Sequence, residues 1–413
     1  MRKSVWGLLL CILCAAALMG CNSARNEKTE KTENTEPEKV KLVVWGAEED
    51  KELMSQIIQS FQEKYRGQAD FQISFQVQGE SQCKDVLLAD LEHGGDVFTF
   101  ADDQLNALAA AGALDPIENG EEIKSRNLAS ATEAATVNNQ LYAYPLTADN
   151  GYFLYYNKKY ITEKQVKTLD GILNAAASKG KLFAMDWSSA WYVYSFFGNT
   201  GLKVGLSDDG ITNYCTWNQK GGSIRGLDVA RSMLRIGKHS GFASYTDEKF
   251  LKGVKNGSVI AGVSGVWNSV AIKEAWGKNA GAAKLPTYLC NGRQIQMASF
   301  SGCKLIGVNA YSKYPEWASR LADWITNEEN QRLRFEMRGQ GPSNITVANS
   351  AEISQSPAMA ALFKQSKFSQ LQRVGGNFWD PVSKFAGSMA AGNPSGQSLQ
   401  KQLDEMAENV SAR

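Results

Sequence analysis

The chain has 413 residues, and its 44 lysines and arginines almost balance its 43 aspartates and glutamates, which leaves a formal net charge of +1. This balance excludes a strongly basic nucleic-acid-binding surface and a polycationic membrane-binding surface. The length exceeds that of one compact core, and it predicts two lobes with enough volume for a dry cleft between them.

The first 21 residues have the pattern of a lipoprotein signal peptide. A basic start at Arg2 and Lys3 precedes an apolar run over residues 5–17, which is shorter than a membrane-spanning helix requires. The sequence LMGC, ending at Cys21, resembles a lipobox, in which a small residue precedes an acylated cysteine. We therefore expect residues 1–20 to be removed and Cys21 to carry lipid. The alternative is a soluble protein with an apolar N-terminus.

Residues 21–39 are predicted to form a disordered tether. The run NSARNEKTEKTENTEPEK has alternating charges and Ala24 as its one aliphatic residue, so it cannot bury the apolar area that would offset chain entropy. Signal, lipid and tether together predict a folded part on the outer face of the cytoplasmic membrane, at the cell surface or in a periplasm.

The remaining cysteines lie in an oxidising setting, where disulfides can form. A pair between Cys290 and Cys303, on either side of a predicted hairpin, and isolated buried thiols are both compatible with the spacing. His93 and His239 are far apart, and no Cys/His cluster has metal-binding spacing, so we expect neither a metal nor a cofactor. Four cysteines follow the tether: Cys83, Cys215, Cys290 and Cys303.

The folded part begins with a strand–helix–strand pattern. A short apolar strand over residues 41–45 precedes a helical repeat of apolar residues from Leu53 to Tyr65, and residues 71–77 then alternate strictly. This order predicts a parallel sheet, whose ligands gather beyond the carboxyl ends of the strands. Glu48 and Glu80 lie in loops at such ends.

The stretch AYPLTADNGYFLYYN, residues 143–157, is predicted to cross between the lobes. Pro145 confines the first strand to an edge or a crossing position. The polar bend at Asp149, Asn150 and Gly151 joins it to a second, aromatic strand. The alternative is a buried strand with an ordinary turn.

Further strands are predicted over residues 95–101, 181–185, 257–267 and 305–308, and helices follow several of them. Helices are expected over residues 104–111 and 227–238, near Phe250, and around Trp317 to Ile325. The segments at residues 285–287 and 341–344 resemble a second and a third crossing.

The residues that could bind a ligand or take part in chemistry are acids that lie beside aromatic rings in loops. A phosphate-binding loop and a nucleophile elbow are both absent, which argues against an ATPase and a serine hydrolase. Sugars favour rings that stack on their C–H faces together with carboxylates that accept from their hydroxyls. Core packing remains the alternative for any single tryptophan. The candidates are Phe100, Asp103, Asp149, Tyr152, Asp186, Trp187, Trp191, Trp267, Trp379 and Asp380.

From Lys41 to the C-terminus the chain resembles the maltose/maltodextrin-binding proteins, the sugar-binding components of bacterial ABC importers. The motifs that carry the resemblance occur in the family's order: KLVVW at 41–45, GGDVFTFADDQL at 94–105, LYAYPLTADNGYFLYYN at 141–157, GVSGVWNS at 262–269, LPT at 285–287, FSGCKLIGVNAYS at 300–312 and NFWDPV at 377–382.

The resemblance implies an α/β, two-lobed periplasmic-binding-protein fold with three crossings, near residues 146–151, 284–288 and 340–344. Lobe 1 would comprise residues 40–147 and 288–341, and lobe 2 residues 148–287 and 342–413. Phe100 and Asp103 would line the cleft from the first lobe, opposite Asp149, Trp191, Trp267 and Trp379, with Trp267 and Trp379 stacking on sugar rings.

Three positions depart from the family pattern. Phe100 replaces a tryptophan, Gln104 replaces an arginine, and Glu48 with Glu49 replaces an Asp–Lys pair. The expected function is binding of an oligosaccharide, in the first place a maltodextrin, by a monomer that delivers it to permease and ATPase subunits in other chains. An extracellular glycosidase that uses cleft carboxylates such as Asp103 and Asp149 is the alternative, and an adhesive surface lipoprotein is a third class.

Overall fold

The computed structural model describes residues 38–207 and 209–412, so the predicted signal peptide, Cys21 and most of the predicted tether lie outside the described residues. The end of the tether differs from the prediction, because Lys39 already belongs to the first strand. The strands are β1 Lys39–Gly46, β2 Asp70–Val77, β3 Val97–Ala101, β4 Thr136–Val137, β5 Gln140–Leu141, β6 Tyr144–Thr147, β7 Phe153–Asn157, β8 Leu182–Ala184, β9 Val204–Leu206, β10 Asn213–Cys215, β11 Phe242–Ala243, β12 Val259–Ser264, β13 Ala280–Ala283, β14 Thr287–Cys290, β15 Arg293–Gln296, β16 Ser299–Ser301, β17 Lys304–Val308 and β18 Ser369–Leu371.

The helices predicted at residues 53–65, 104–111, 227–238, near 250 and at 317–325 are all present, and none of the described helices is long and apolar enough to cross a membrane. They are α1 Lys51–Lys64, α2 Cys83–Ala89, α3 Leu105–Ala110, α4 Gly120–Ser125, α5 Ala129–Ala134, α6 Leu169–Ala177, α7 Ala190–Phe197, α8 Gly226–Gly237, α9 Asp247–Asn256, α10 Ser269–Trp276, α11 Pro315–Ile325, α12 Glu328–Arg338, α13 Ile345–Ala348, α14 Ala351–Ser354, α15 Pro357–Ser366, α16 Trp379–Ala390 and α17 Leu399–Val410.

The first lobe is built on a five-stranded sheet in the order β2-β1-β3-β17-β6. β1 pairs with β2 in parallel along its whole length, which confirms the predicted strand–helix–strand start. β17 runs antiparallel to β3 and β6. β6 is an edge strand, and this position suits Pro145, because proline has no N–H for a second ladder.

The second lobe is built on another five-stranded sheet, in the order β11-β8-β12-β7-β13. Each sheet has its own apolar core: Leu42, Phe61 and Leu321 belong to the first, and Leu154 and Phe183 belong to the second. β12 is buried along its whole length, as expected for a central strand with helices on both faces.

The chain passes between the sheets three times, and two of the passages differ from the prediction. The first joins β6 to β7, as predicted. The second lies at Gly302 and Cys303, between β16 and β17, whereas Leu285 and Tyr288 still pack in the second core. The segment predicted as the second crossing therefore begins the β14–β15 hairpin, whose pairing keeps it on that lobe.

The third passage comes later than predicted. The amide of Leu128 donates to the carbonyl of Ser343, and the amide of Ile345 donates to that of Arg126, so both positions remain attached to the first lobe. The chain then reaches the second lobe with α15, which packs on β13 and β7.

The four cysteines of the described part are free thiols. Cys290 ends β14, and the hairpin turns at Asn291 and Gly292, which have φ angles of 48° and 74°. The β14–β15 hairpin therefore ends before Cys303, which is buried in the core of the first lobe. Burial raises the pKa of the Cys83 thiol to about 12, which keeps it protonated and unreactive.

Candidate functional site

Two tryptophans of the second lobe form a partly exposed aromatic pair. The ring centroids of Trp191 and Trp267 are 5.8 Å apart with an interplanar angle of 35°. Trp191 is held from behind by the edge of Tyr152, at 4.7 Å, and by the Tyr152 hydroxyl, which donates to its carbonyl at 2.8 Å. The pair presents a broad aromatic surface of the kind that stacks on the C–H face of a sugar.

Gly265 shapes the backbone beneath Trp267. A Cβ atom at Gly265 would lie 1.8 Å from the Trp267 ring, so the ring can fold over this position only because glycine occupies it. The Tyr155 hydroxyl donates to the Gly265 carbonyl at 3.0 Å and fixes the same turn. The glycine thus provides room for the tryptophan itself.

Trp379 begins α16 after a short 3-10 turn at Gly376–Phe378. Its ring meets the edge of the buried Phe378 at 5.1 Å, and its own surface is partly exposed. The amide of Gly375 donates to Oδ1 of Asn213 at 2.6 Å, which anchors the loop on the β9–β10 hairpin.

Asp102 and Asp103 follow β3 in the first lobe. Asp102 is buried and accepts from Nη1 of Arg373 at 2.9 Å and from the amide of Cys303 at 3.1 Å. Asp103 is partly exposed, and among the described residues its Oδ1 has no hydrogen-bond partner. Burial and the neighbouring charge of Asp102 raise the pKa of Asp103 to about 7. Such a carboxylate gains from a hydroxyl donor supplied by a ligand.

Asp149 and Asn150 lie where the passages meet. The Asp149 carboxylate is buried and accepts from the amide of Gly341, and the amide of Asn150 donates to the carbonyl of Gly302 at 3.1 Å. Burial raises the pKa of Asp149. Asp149 therefore fixes the first passage to the Gly341 segment of the first lobe, and this corrects its assignment as a cleft-facing residue, whereas Asn150 stays partly exposed.

Phe100 and Trp187 lie in the two cores, which corrects their assignment to the cleft surface. Phe100 is fully buried and contacts Phe98, with centroids 5.5 Å apart. Trp187 is fully buried against Phe242, at 4.5 Å, and Phe196, at 5.3 Å. As placed, neither ring can stack on a sugar.

Of the other predicted acids, Asp380 is exposed in the first turn of α16, and three lie at strand ends. Glu48 is exposed after β1. Asp186 is partly exposed after β8 and accepts from the amide of Ser188 at 2.9 Å. Glu80 pairs with the ammonium group of Lys304 at 2.7 Å, and its carbonyl accepts from Nε2 of Gln104 at 2.7 Å. The glutamine at position 104 therefore holds the Glu80 loop.

The segment from Phe300 to Cys303 connects these residues. The amide of Phe300 donates to the Tyr152 hydroxyl at 3.2 Å, and its ring lies 5.8 Å from that of Phe378. The segment thereby links the start of α7 with Trp191, the turn before Trp379, and Asp102. None of residues 300–303 was among the predicted site residues, and the one polar signal nearby in the sequence is Lys304, the charged residue of the otherwise apolar β17.

We expect Asp103→Asn to remove a pH-dependent cost to stability. Because folding raises this pKa, the native carboxyl group favours folding most at pH values below its unfolded pKa of about 4, and this contribution is lost as the pH rises through about 7. The melting temperature of the variant, relative to that of the wild type, should therefore increase as the pH is raised from 4 to 8. Asp85→Asn, at an exposed carboxylate, is the control, and parallel curves for wild type and Asp103→Asn would contradict the expectation.

No group of histidine, cysteine, aspartate and glutamate side chains in the described part of the chain could hold a metal ion. The site consists of aromatic rings, carboxylates and amides. This composition suits a neutral, polyhydroxylated ligand.

Comparison with known proteins finds similarity to proteins that bind oligosaccharides. The chain is 30% identical to the galactooligosaccharide-binding protein of Bacillus subtilis over 67% of each chain. It is 24% identical to the maltooligosaccharide ABC transporter solute-binding lipoprotein of Streptococcus pneumoniae over 72% of each chain. The ligand-free structure of a maltodextrin-binding protein from L. casei superposes with a TM-score of 0.75 at 25% identity and covers 91% of this chain and 100% of the other.

A family profile provides the assignment. The profile of the bacterial extracellular solute-binding proteins matches residues 56–361, which include the five-stranded sheet of the second lobe, every strand of the first sheet except β1, and most of the residues described above. These relatives bind oligosaccharides, and the two-lobed fold is the same in the solved structure. The chain belongs to the bacterial extracellular solute-binding protein family.

Proposed function

We propose that the chain binds an oligosaccharide, in the first place a maltodextrin, and delivers it to an ABC importer. The relatives named above bind maltooligosaccharide, maltodextrin and galactooligosaccharide. The second candidate ligand is a galactooligosaccharide, because the relative at 30% identity binds that class. The permease and the ATPase would be other chains, and this chain would act as a monomer.

The observation that carries the proposal is a pair of unsatisfied polar atoms, one in each lobe, and the atom in the second lobe belongs to the aromatic pair. Nε1 of Trp191 is a donor and Oδ1 of Asp103 is an acceptor, and neither has a partner among the described residues. A buried polar atom without a partner costs about 1–3 kcal/mol. A sugar hydroxyl both donates and accepts, so one class of ligand satisfies both atoms while its ring stacks on Trp267.

The proposed mechanism is closure of the two lobes around the sugar. Asp103 belongs to the first lobe, and Trp191, Trp267 and Trp379 belong to the second, so the sugar would contact both only when they close. Ligand binding then shifts the population toward the closed state. The three passages would act as the hinge, with lobe 1 over residues 38–148 and 304–349 and lobe 2 over residues 151–301 and 357–412.

We also propose that the chain is held at the membrane by lipid on Cys21. The sequence LMGC and the relative described as a lipoprotein support this anchor. The sugar would then be captured outside the cytoplasmic membrane and handed to the permease. Growth with labelled palmitate tests it: the wild-type chain should carry label and the Cys21→Ser variant should carry none.

Isothermal calorimetry on the chain from residue 38 onward tests the proposed ligand. Maltose to maltohexaose and a matched series of galactooligosaccharides should be titrated separately, with glucose and galactose as controls. We expect at least one series to bind with a micromolar constant, which corresponds to about −8 kcal/mol. Absence of heat with every oligosaccharide would refute the proposal.

The same samples distinguish binding from hydrolysis. After prolonged incubation with each oligosaccharide, chromatography should recover the sugar unchanged. Asp149, one of the two carboxylates considered for a glycosidase, already accepts an internal hydrogen bond from the amide of Gly341. Release of shorter products would favour the enzyme.

A further inference from the structure

Asp247 lies beneath the aromatic surface, at the first position of α9. Its Oδ2 accepts from Nε1 of Trp267 at 2.9 Å. Its Oδ1 accepts from Oγ of Ser264 at 3.1 Å and from Nδ2 of Asn268 at 3.2 Å. The Asn268 amide also donates to Ser264 at 2.8 Å. One carboxylate thus gathers a side chain from the end of β12 and two from the turn that follows.

Hydrogen bonds fix the position of the Asp247 carboxylate. Three donors point at it, and it lies in the first turn of a ten-residue helix, where the helix dipole favours negative charge. Burial opposes ionisation and, together with the nearby charge of Asp186, raises the pKa of Asp247. The donors from Trp267, Ser264 and Asn268 oppose that rise.

Trp267 is consequently held on two sides. An indole has a single polar atom, and a hydrogen bond from that atom to a fixed carboxylate restricts rotation of the ring about its side-chain bonds. The ring also packs over Gly265, which leaves no room for a change of plane on that side. The remaining surface of Trp267 is the partly exposed one beside Trp191.

We propose that Asp247 is a positioning residue for the sugar site: it holds the Trp267 indole in the plane that stacks on a ligand ring. The inference rests on the proposed function. A ring that is already oriented loses little conformational freedom when the sugar binds. The energy of its contact with the sugar is therefore not offset by an ordering cost and contributes to the affinity. Asp247 itself acts through Trp267.

Affinity for the best oligosaccharide, measured in a double-mutant cycle, tests the proposal. Asp247→Ala should weaken binding about tenfold, since a charge-assisted hydrogen bond of this kind contributes that much or more. Asp247→Asn keeps an oxygen that can accept from Nε1 and should retain most of the affinity. Phenylalanine has a ring but no N–H, so in the Trp267→Phe background Asp247→Ala should change the affinity by less than about twofold.

Glu248→Ala is the matched control. Glu248 is the next residue of the same helix turn, carries the same charge and is exposed. Its removal should leave affinity unchanged. The indole N–H resonance of Trp267, identified by its disappearance in Trp267→Phe, should move in Asp247→Ala without ligand and stay in place in Glu248→Ala.

Two outcomes would overturn the role of Asp247. One is an equal loss of affinity from Asp247→Ala in the wild-type and Trp267→Phe backgrounds, which would indicate a general structural effect. The other is wild-type affinity in Asp247→Ala. Failure of the wild-type chain to bind any sugar is a different result, because it refutes the proposed function itself.

Discussion

Alanine at Trp267 or at Trp379 is expected to weaken oligosaccharide binding about tenfold or more while largely preserving the folded state. Both rings are partly exposed, and each follows a turn that is anchored by hydrogen bonds to neighbouring elements. Aromatic contacts contribute about 0.5–1.5 kcal/mol beyond the area that they bury, and loss of that area adds to the effect. Affinity by calorimetry and melting temperature should be measured on the same samples.

Trp217→Ala is the control for these two substitutions. Trp217 is fully buried and stacks on Phe197 with a centroid distance of 4.0 Å. Its truncation should cost roughly 3–5 kcal/mol of unfolding free energy, as for other buried aromatic residues. If Trp267→Ala and Trp379→Ala behave like Trp217→Ala, with a collapsed melting temperature and unchanged affinity, both residues belong to the core and not to the site.

The order of elements could be read from the sequence because it depends on local patterns. The strict alternation in β2 and the apolar repeat in α1 specify a half-buried strand and an amphipathic helix without reference to any other segment. Pro145 alone restricts β6 to an edge or a crossing position. These features agree with the structure.

The misplaced site residues depend on information that a local pattern does not contain. Phe100 lies in β3, where the two preceding residues, Phe98 and Thr99, are also buried. Because residues on both faces of the strand are buried, no alternating pattern indicates which face points toward a ligand. Trp187 follows β8 in a loop, yet the fold turns its ring toward Phe242, 55 residues later in the chain. Only the packing of the whole lobe decides these orientations.

The hydrogen bonds that orient the site could not be predicted from the sequence for the same reason. Asp247 and Trp267 are 20 residues apart, and their contact exists because α9 and the turn after β12 meet in space. The second passage was predicted at the wrong position, because Leu285-Pro286-Thr287 leads into the β14–β15 hairpin. A hairpin of this kind can be recognised only when its partner strand is known. The sequence thus predicts Trp267 as a site residue but contains no local pattern that predicts its hydrogen bond to Asp247.

A buried ion pair within the first lobe, between Asp50 and Arg334, is expected to have a large effect on stability. The Arg334 side chain is 2% exposed, and its Nη1 donates to the carboxylate of Asp50 and, at 2.8 Å, to Oε1 of Gln340. Arg338 also donates to Asp50, at 3.0 Å. Burial alone would raise the pKa of Asp50, but the charges of Arg334, Lys304 and Arg338 lower it to about 2.

Arg334→Met should therefore destabilise the folded chain by about 3–5 kcal/mol, because it leaves Asp50 buried with too little compensating charge. The pKa of Asp50 is depressed on folding, so its contribution to stability is complete above the unfolded value of about 4 and is lost as the pH falls through about 2. The difference in melting temperature between wild type and variant should accordingly be constant near neutral pH and shrink in acid. The double variant Arg334→Met/Asp50→Leu removes both charges and should recover much of the loss, whereas a double variant as unstable as Arg334→Met would show that packing of Arg334, and not its charge, stabilises this region.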